Sequence, residues 1–520
     1  MSEPFYITTA INYPNGPPHV GHAYEAIATD AIARFQRLSG RDVFFLTGTD
    51  EHGLKMAQAA REKGVDAPQL ANEMSAIFRE MDERLHISFD RFIRTTEPAH
   101  HRASQAIWQA MAERGDLYLG RYEGWYSVRD EAYYDEKELV AADGGEKLSP
   151  QGTPVEWTVE ESWFFRLSAY QERLLAHYAA HPDFIRPEAR RNEVLRFVEG
   201  GLSDLSVSRT SFDWGVTVPG SEDHVMYVWL DALTNYLTGV GYPETESDTY
   251  KRYWPADLHV VGKDVVRFHA VYWPAFLMSA GVPLPKQVFG HGHVLLRGEK
   301  MSKSAGNVVA PEALVAAFGT DAVRYFLLRD VTFGQDGSYS PEAIVTRVNA
   351  DLANSFGNLA QRTLSFIAKN CGGALPQGGR GEPADAELLA LVRRATAQEL
   401  PDRFAELALS QGIEAWLRAV FACNQYIDVQ APWTLRKTDP ERMTAVLATL
   451  CAAIVDLAVA ISPVVPASAA RLLDQMGVPA GERDFTVLAD TGRYERLAVS
   501  GFTLAPPTPI FPRLEAPEDS

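Results

Sequence analysis

The first forty residues constrain the fold more than any other part of the chain. Phe5-Tyr6-Ile7-Thr8-Thr9 is short, apolar and β-prone, so it reads as a strand. The stretch from Asn12 to Pro18 is rich in proline, glycine and asparagine and reads as a loop. Tyr24, Ile27, Ala28, Ala31, Phe35 and Leu38 then recur with helical period, which predicts a helix from about Val20 to Leu38. Strand-like runs at Asp42–Leu46 and Arg91–Arg94 continue to alternate with helical stretches as far as residue 114. Such alternation predicts a parallel sheet covered by helices, an α/β fold.

The texture changes after Asp116. Tyr118, Tyr122, Trp125, Tyr126, Tyr133 and Tyr134 crowd a β-prone stretch broken by polar turns, which reads as an inserted subdomain running to residue 225. Strand-like runs return at Leu258–Val261 and Gln287–Gly290, and from residue 345 the pattern is mostly helical. Gly372 to Pro383 reads as a loop, and the proline-rich Leu504 to Pro512 as extended chain. At 520 residues the chain exceeds one ordinary core, and about two to four domains are expected.

Two short motifs carry the chemistry. In Pro17-Pro18-His19-Val20-Gly21-His22, both histidines fall where the predicted helix begins. The first-turn N–H groups are unpaired there and the helix dipole favours anions, so imidazole donors on His19 and His22 suit phosphate. Gly21 leaves room for a flat adenine to approach the backbone. Taken alone, two surface histidines at an ordinary helix start fit the sequence equally well. Lys300-Met301-Ser302-Lys303-Ser304 lies between Gly298 and Gly306, an arrangement suited to a loop that closes on its ligand. Its two ammonium groups suit the charge that builds on a departing pyrophosphate, although a solvated basic loop would look the same in isolation. Together the motifs point to an enzyme that activates a carboxylic acid with ATP.

Composition narrows the setting. The formal net charge of −19 argues mildly against a nucleic-acid partner, although local field matters more than net charge. By inspection no run approaches the ~20 apolar residues of a membrane span. Met1-Ser2-Glu3-Pro4 lacks the features of a signal peptide. Cys371, Cys423 and Cys451 are the only cysteines and form no disulfide framework, so a reducing cytoplasm is the expected location.

With these motifs in hand, the chain resembles the class I aminoacyl-tRNA synthetases, and among them the methionyl-tRNA synthetase family. The resemblance also rests on Ala10-Ile11-Asn12-Tyr13, Thr47-Gly48-Thr49-Asp50-Glu51-His52-Gly53, Tyr227-Val228-Trp229-Leu230-Asp231-Ala232 and Gly262-Lys263-Asp264-Val265-Val266-Arg267-Phe268-His269. Gly357-Asn358-Leu359-Ala360-Gln361-Arg362 and Gln430-Ala431-Pro432-Trp433 extend it toward the C-terminus. It implies a Rossmann-like nucleotide-binding fold (1–115 and 226–345) split by a connective insertion (116–225), then an α-helical anticodon-binding domain with its tail (346–520).

The resemblance also implies roles. His19, Gly21, His22, Lys300, Met301, Ser302 and Lys303 would bind ATP, with the two histidines and two lysines catalytic and Mg²⁺ accompanying the nucleotide. Methionine is unbranched and polarizable with a weakly accepting sulfur, so its site needs an apolar aromatic slot and a carboxylate for the ammonium. Tyr13, Trp229, Tyr236, Val265 and His269 would form the slot. Asp50, at a strand end, would take the ammonium, and the Ile11 amide and Tyr236 hydroxyl would approach sulfur. On residue chemistry alone, Trp229 and Tyr236 fit ordinary core packing better. Asn358 and Arg362, four apart on a helix face, and the flat Trp433 would read the anticodon of tRNA(Met), initiator tRNA included.

One departure stands out. Many family members hold zinc through cysteine pairs in the insertion. Here the corresponding stretches read Tyr126-Ser127-Val128-Arg129-Asp130 and Leu148-Ser149-Pro150-Gln151-Gly152, so no structural zinc is expected. No further RNA-binding or dimerising domain follows the helical region, so a monomer is expected. A leucine, isoleucine, valine or cysteine enzyme is the nearest alternative, but the insertion is short for a large editing domain. A non-catalytic RNA-binding relative is a second alternative, and the intact histidine and lysine motifs argue against it.

Overall fold

The computed structural model of the chain describes residues 2–130, 132–141, 146–299, 309–488 and 490–515. The N-terminal run forms β1 (Pro4–Thr8) and the periodic stretch forms α1 (Val20–Leu38). β2 (Asp42–Thr49), β3 (Arg91–Arg94) and α2 (Pro98–Glu113) complete the first half of the α/β region. Then come β4 (Leu117–Ser127), β5 (Glu156–Phe165) and the short β6 (Ile185–Arg186). α3 (Val228–Thr238), β7 (Leu258–Gly262) and β8 (Val288–His291) complete the region.

The main sheet has the order β3-β2-β1-β7-β8-β6, and each pairing in it is parallel. Side chains alternate across it as strand geometry requires. Phe5, Ile7 and Phe45 face one core, while Tyr6, Leu46 and Ile93 face another. Burial on both faces is why these strands read as continuous apolar runs rather than alternating ones.

β4 and β5 pair antiparallel, with Trp125 opposite Trp157 and Tyr118 opposite Phe164, the cross-strand aromatic packing that a tyrosine-rich stretch favours. The segment 116–225 is not only an appendage, however. Its β6 joins the main sheet beside β8, with Ile185 opposite Val288. A two-residue strand has too little pattern to show in the sequence.

Beyond β8 the chain is largely helical. α4 (Thr320–Asp330) carries the fully buried Arg324. Its guanidinium pairs with Asp30 of α1 at 2.7 Å and donates to Leu85 O, Val464 O and Pro463 O. One side chain thus ties the sheet region to the helical region with every donor face used. α5 (Asn358–Asn370), α6 (Leu409–Gln430), α7 (Pro432–Thr438) and α8 (Pro440–Ile461) follow. α8 corrects the expectation that no segment approaches a membrane span. Its mean hydropathy of 2.3 over a membrane-length window suffices, yet 83% of that window is buried inside the protein. It is the apolar centre of a helical packing, which passes the same length test. The tail runs as extended chain, with Leu504 N donating to Gly373 O at 2.8 Å and Leu514 exchanging two hydrogen bonds with the Asn349 side chain.

Candidate active site

The carboxyl ends of β1, β2, β7 and β8 open onto one cavity of about 430 Å³. It lies where β1 meets β7 at the middle of the sheet, the place where connections diverge and open parallel sheets bind ligands. The chain leaving β1 keeps strand-like bonds on both sides. Ala10 N donates to Val260 O and Asn12 N to Gly48 O, while Asp50 N donates back to Asn12 O. The Ile11 amide between them has no partner among the described residues, and Ile11 lines the cavity.

Asp50 follows β2 directly, is 8% exposed and lines the cavity, as does Tyr13. The Tyr13 hydroxyl accepts from Met56 N at 3.2 Å. From α3 come Trp229 and Tyr236, and from the segment after β7 come Val265 and His269. Trp229 stacks on Phe268 with centroids 3.8 Å apart and planes within 5°. Tyr236 Oη lies 2.7 Å from His269 Nε2, while His269 Nδ1 faces Val265 O at 2.9 Å. Nδ1 therefore carries the ring proton and Tyr236 donates to Nε2. Burial holds the His269 imidazole down at about 4, so the ring is neutral and this arrangement persists at neutral pH. The Tyr236 hydroxyl proton is accordingly engaged in the hydrogen bond to His269 Nε2.

His19 is the N-cap of α1. Its Nδ1 accepts from Gly21 N at 3.1 Å, and His22 Nδ1 accepts from His19 N at 3.1 Å. The two rings stack at 3.8 Å. This is a capping box built from imidazoles, and it places the remaining proton of each ring on Nε2. A Cβ on Gly21 would come within 2.9 Å of the His19 ring. The room that Gly21 leaves is thus used by the histidine cap.

The family model described as tRNA synthetases class I (M) matches residues 5–144 and 145–364. A model described as the anticodon binding domain of methionyl tRNA ligase matches residues 375–518. The methionine–tRNA ligase of Mesorhizobium japonicum is 59% identical over 516 residues, covering 98% of each chain, and that of Mycobacterium bovis is 57% identical over 99% of each. A solved Mycobacterium tuberculosis methionyl-tRNA synthetase in complex with methionyl-adenylate is 56% identical. It superposes with a TM-score of 0.95 over 98% of this chain and all of that one. The chain belongs to the class I methionine–tRNA ligases.

In this ligase family member, Lys300, Met301, Ser302 and Lys303 lie outside the described residues. The other cavity residues named from sequence converge on the one site. Asn358, Arg362 and Trp433 do not belong to it. Asn358 and Arg362 lie on α5 and Trp433 on α7. Arg362 packs 5.3 Å over the Trp433 ring and pairs with Asp428 at 2.7 Å. Asn358 is exposed on the same helix.

Sequence reasoning missed the acid and histidines that complete the cavity. Glu25 accepts from Ala10 N at 2.9 Å and meets His291 Nε2 at 2.7 Å. His293 meets Asp264 at 2.6 Å. Two signals were present. Glu25 stands three residues after His22, on the same face of α1. Gly290-His291-Gly292-His293 stands at the carboxyl end of a parallel strand.

Proposed function

We propose that this cavity binds L-methionine beside ATP and forms methionyl-adenylate and pyrophosphate, and that the methionyl group then passes to the 3′-terminal ribose of tRNA(Met), initiator tRNA included. The observation that carries this reading is one cavity holding a buried carboxylate, a neutral aromatic slot and a histidine-capped helix start. Asp50 takes the ammonium in a site where desolvation strengthens the pair. Trp229, Tyr13, Val265, Tyr236 and His269 enclose the thioether, and the Ile11 N–H is the donor that faces sulfur.

No side chain acts as nucleophile. The methionine carboxylate attacks the α-phosphorus of ATP and the bond to pyrophosphate breaks, so the protein contributes position and charge. His19 and His22 donate from Nε2 to phosphate oxygens at the positive end of α1. Lys300, Met301, Ser302 and Lys303 are assigned to ATP binding, with the two lysine ammonium groups stabilising the charge that builds on the departing pyrophosphate. Mg²⁺ carried by ATP would neutralise phosphate charge.

The reading divides the chain into catalytic halves (1–115 and 226–345), connective insertion (116–225) and anticodon-binding domain (346–520), with Asn358, Arg362 and Trp433 as readers. It includes a monomer working in the cytoplasm without structural zinc. In support of the last point, the Asp130 carboxylate accepts from Ser149 Oγ and Thr153 Oγ1, each at 2.6 Å, and from the Tyr134 hydroxyl at 3.0 Å. Ser127 and Thr153 hydroxyls meet at 2.6 Å. Hydroxyls of Tyr134, Ser149 and Thr153 thus converge on one acid of the first stretch.

ATP–pyrophosphate exchange on chelator-treated protein with only Mg²⁺ restored tests the proposal. Exchange with methionine and none with leucine, isoleucine, valine or cysteine is expected. Exchange that needs added zinc would overturn the zinc-free reading, and exchange with another amino acid would overturn the assigned slot.

A further inference from the structure

Asp231 stands two residues beyond Trp229 on α3, fully buried and outside the cavity lining. Its carboxylate bridges two imidazoles from different elements. Oδ2 lies 2.6 Å from His52 Nδ1, and Oδ1 lies 2.7 Å from His100 Nε2. His52 and His100 are themselves buried. Burial pushes the Asp231 carboxyl up, and the two imidazoles outweigh it, holding the group well below the usual carboxylate range. An ionised carboxylate only accepts, so both imidazoles donate to it.

The three residues join the elements that make the amino-acid pocket. His52 comes two residues after Asp50. Between them Glu51 is fully buried and bonded to Arg94, Thr96 and Thr49, while its carbonyl accepts from Trp214 Nε1 at 2.6 Å. The turn that presents Asp50 is therefore held toward β3 by Glu51 and toward α3 by His52. His100, on α2, also reaches Thr238 Oγ1 at 3.0 Å, so α2 grips α3 near both ends. α3 is the helix that carries Trp229 and Tyr236.

We propose that Asp231 is a positioning residue for the methionine pocket. Through His52 it fixes where the Asp50 carboxylate stands relative to the Trp229 and Tyr236 walls. An apolar filler would hold the fold as well as a buried ionic cluster does. What the carboxylate adds is directional hydrogen bonding between the ammonium-binding turn and the side-chain wall. The inference rests on the roles given above to Asp50 and Trp229.

The test compares His52→Leu, which removes the donor, with His52→Asn, whose side-chain N–H can replace Nδ1–H. Pyrophosphate exchange is measured against methionine and ATP separately. Loss of one hydrogen bond to a buried charge predicts a methionine KM raised about tenfold in His52→Leu, with ATP KM unchanged within about twofold. His52→Asn should return methionine KM toward the parent value. Equal behaviour of the two variants, or parallel rises in both KM values, would overturn the role of the hydrogen bond. Should His52→Leu not fold, Asp231→Asn is read for the same split, and a parallel rise there overturns the proposal. Asp50→Asn serves as the reference. If it leaves methionine KM unchanged, the pocket reading fails; if it raises KM while His52→Leu does not, only the positioning role fails.

Discussion

The cavity at the strand ends and the α5–α7 face place similar side chains under opposite conditions. In the cavity Asp50 is 8% exposed and Tyr236 and His269 are 1% exposed, whereas Trp433 is 44% exposed. The buried groups are held by partners from other elements, as His269 is by Tyr236 and Val265. On the helical face Arg362 is held by one acid at the surface and by the Trp433 ring. A site that selects one small amino acid gains from desolvation, because electrostatic contacts there are strong and mismatched groups are costly. A face that meets RNA bases needs open planar and cationic groups. The two regions should therefore respond differently to the same kind of change.

Asp50→Asn is the severest test of that contrast. Removing one partner from a buried ion pair costs about 3–5 kcal/mol, so methionine-dependent exchange should fall by roughly 100-fold or more. Tight tRNA binding should remain, as measured by filter retention. A modest loss would mean that the cavity is as tolerant as the open face. Trp433→Ala comes next. Stacking of a base on an aromatic ring contributes about 1–3 kcal/mol, so kcat/KM for tRNA should fall about tenfold or more while exchange without tRNA stays at the parent rate. A matching loss of exchange would show that the two regions are not separable.

The same contrast explains what was legible in the sequence. α1 spans Val20–Leu38 as its periodicity predicts, because the proline-rich loop and the apolar stripe are both local signals. The parallel strands were visible because burial on both faces leaves continuous apolar runs. β6 was not, since Ile185–Arg186 is set by an edge vacancy beside β8 and not by its own composition. Within the cavity, residues in compact motifs could be named, but Glu25 and His291 meet from distant parts of the chain and neither has a meaning alone. On the helical face, Asn358, Arg362 and Trp433 were named only through family resemblance. An exposed tryptophan over an arginine follows from packing between α5 and α7, which no local pattern encodes.

Acid should separate the regions by a third route. His259 and His269 are buried in the sheet region, and burial lowers both, His269 to about 4 and His259 well below its usual value. Between pH 6.5 and 4 the unfolded chain binds protons that the folded chain excludes, so stability falls as pH falls through that window. Each such group contributes up to about 1.4 kcal/mol per pH unit. Urea unfolding of the parent should show this slope, and His259→Gln should flatten it. An unchanged slope would remove buried neutral imidazoles from the distinction between the two regions.

The smallest effect is expected where the regions meet. Asp82, on the helix Ala67–Arg84, is fully buried, and among the described residues neither carboxylate oxygen has a hydrogen-bond partner. Burial raises its pKa well above the usual value, and the neighbouring Asp30 and Glu83 charges add to that. Asp30 is the acid that Arg324 holds at the junction. Above pH 3.8 the unfolded carboxyl releases its proton while the folded one retains it, so stability falls as pH rises toward the folded pKa. Asp82→Leu removes the penalty with a side chain of similar size, and apolar replacement of a poorly compensated buried polar group is often stabilising. The variant should gain about 1 kcal/mol at pH 8 and less near pH 4, read from urea midpoints at the two pH values. Exchange and aminoacylation should both stay near parent rates, because Asp82 faces neither the cavity nor the α5–α7 face. A loss of aminoacylation with exchange intact would instead make this junction part of the coupling between the two regions.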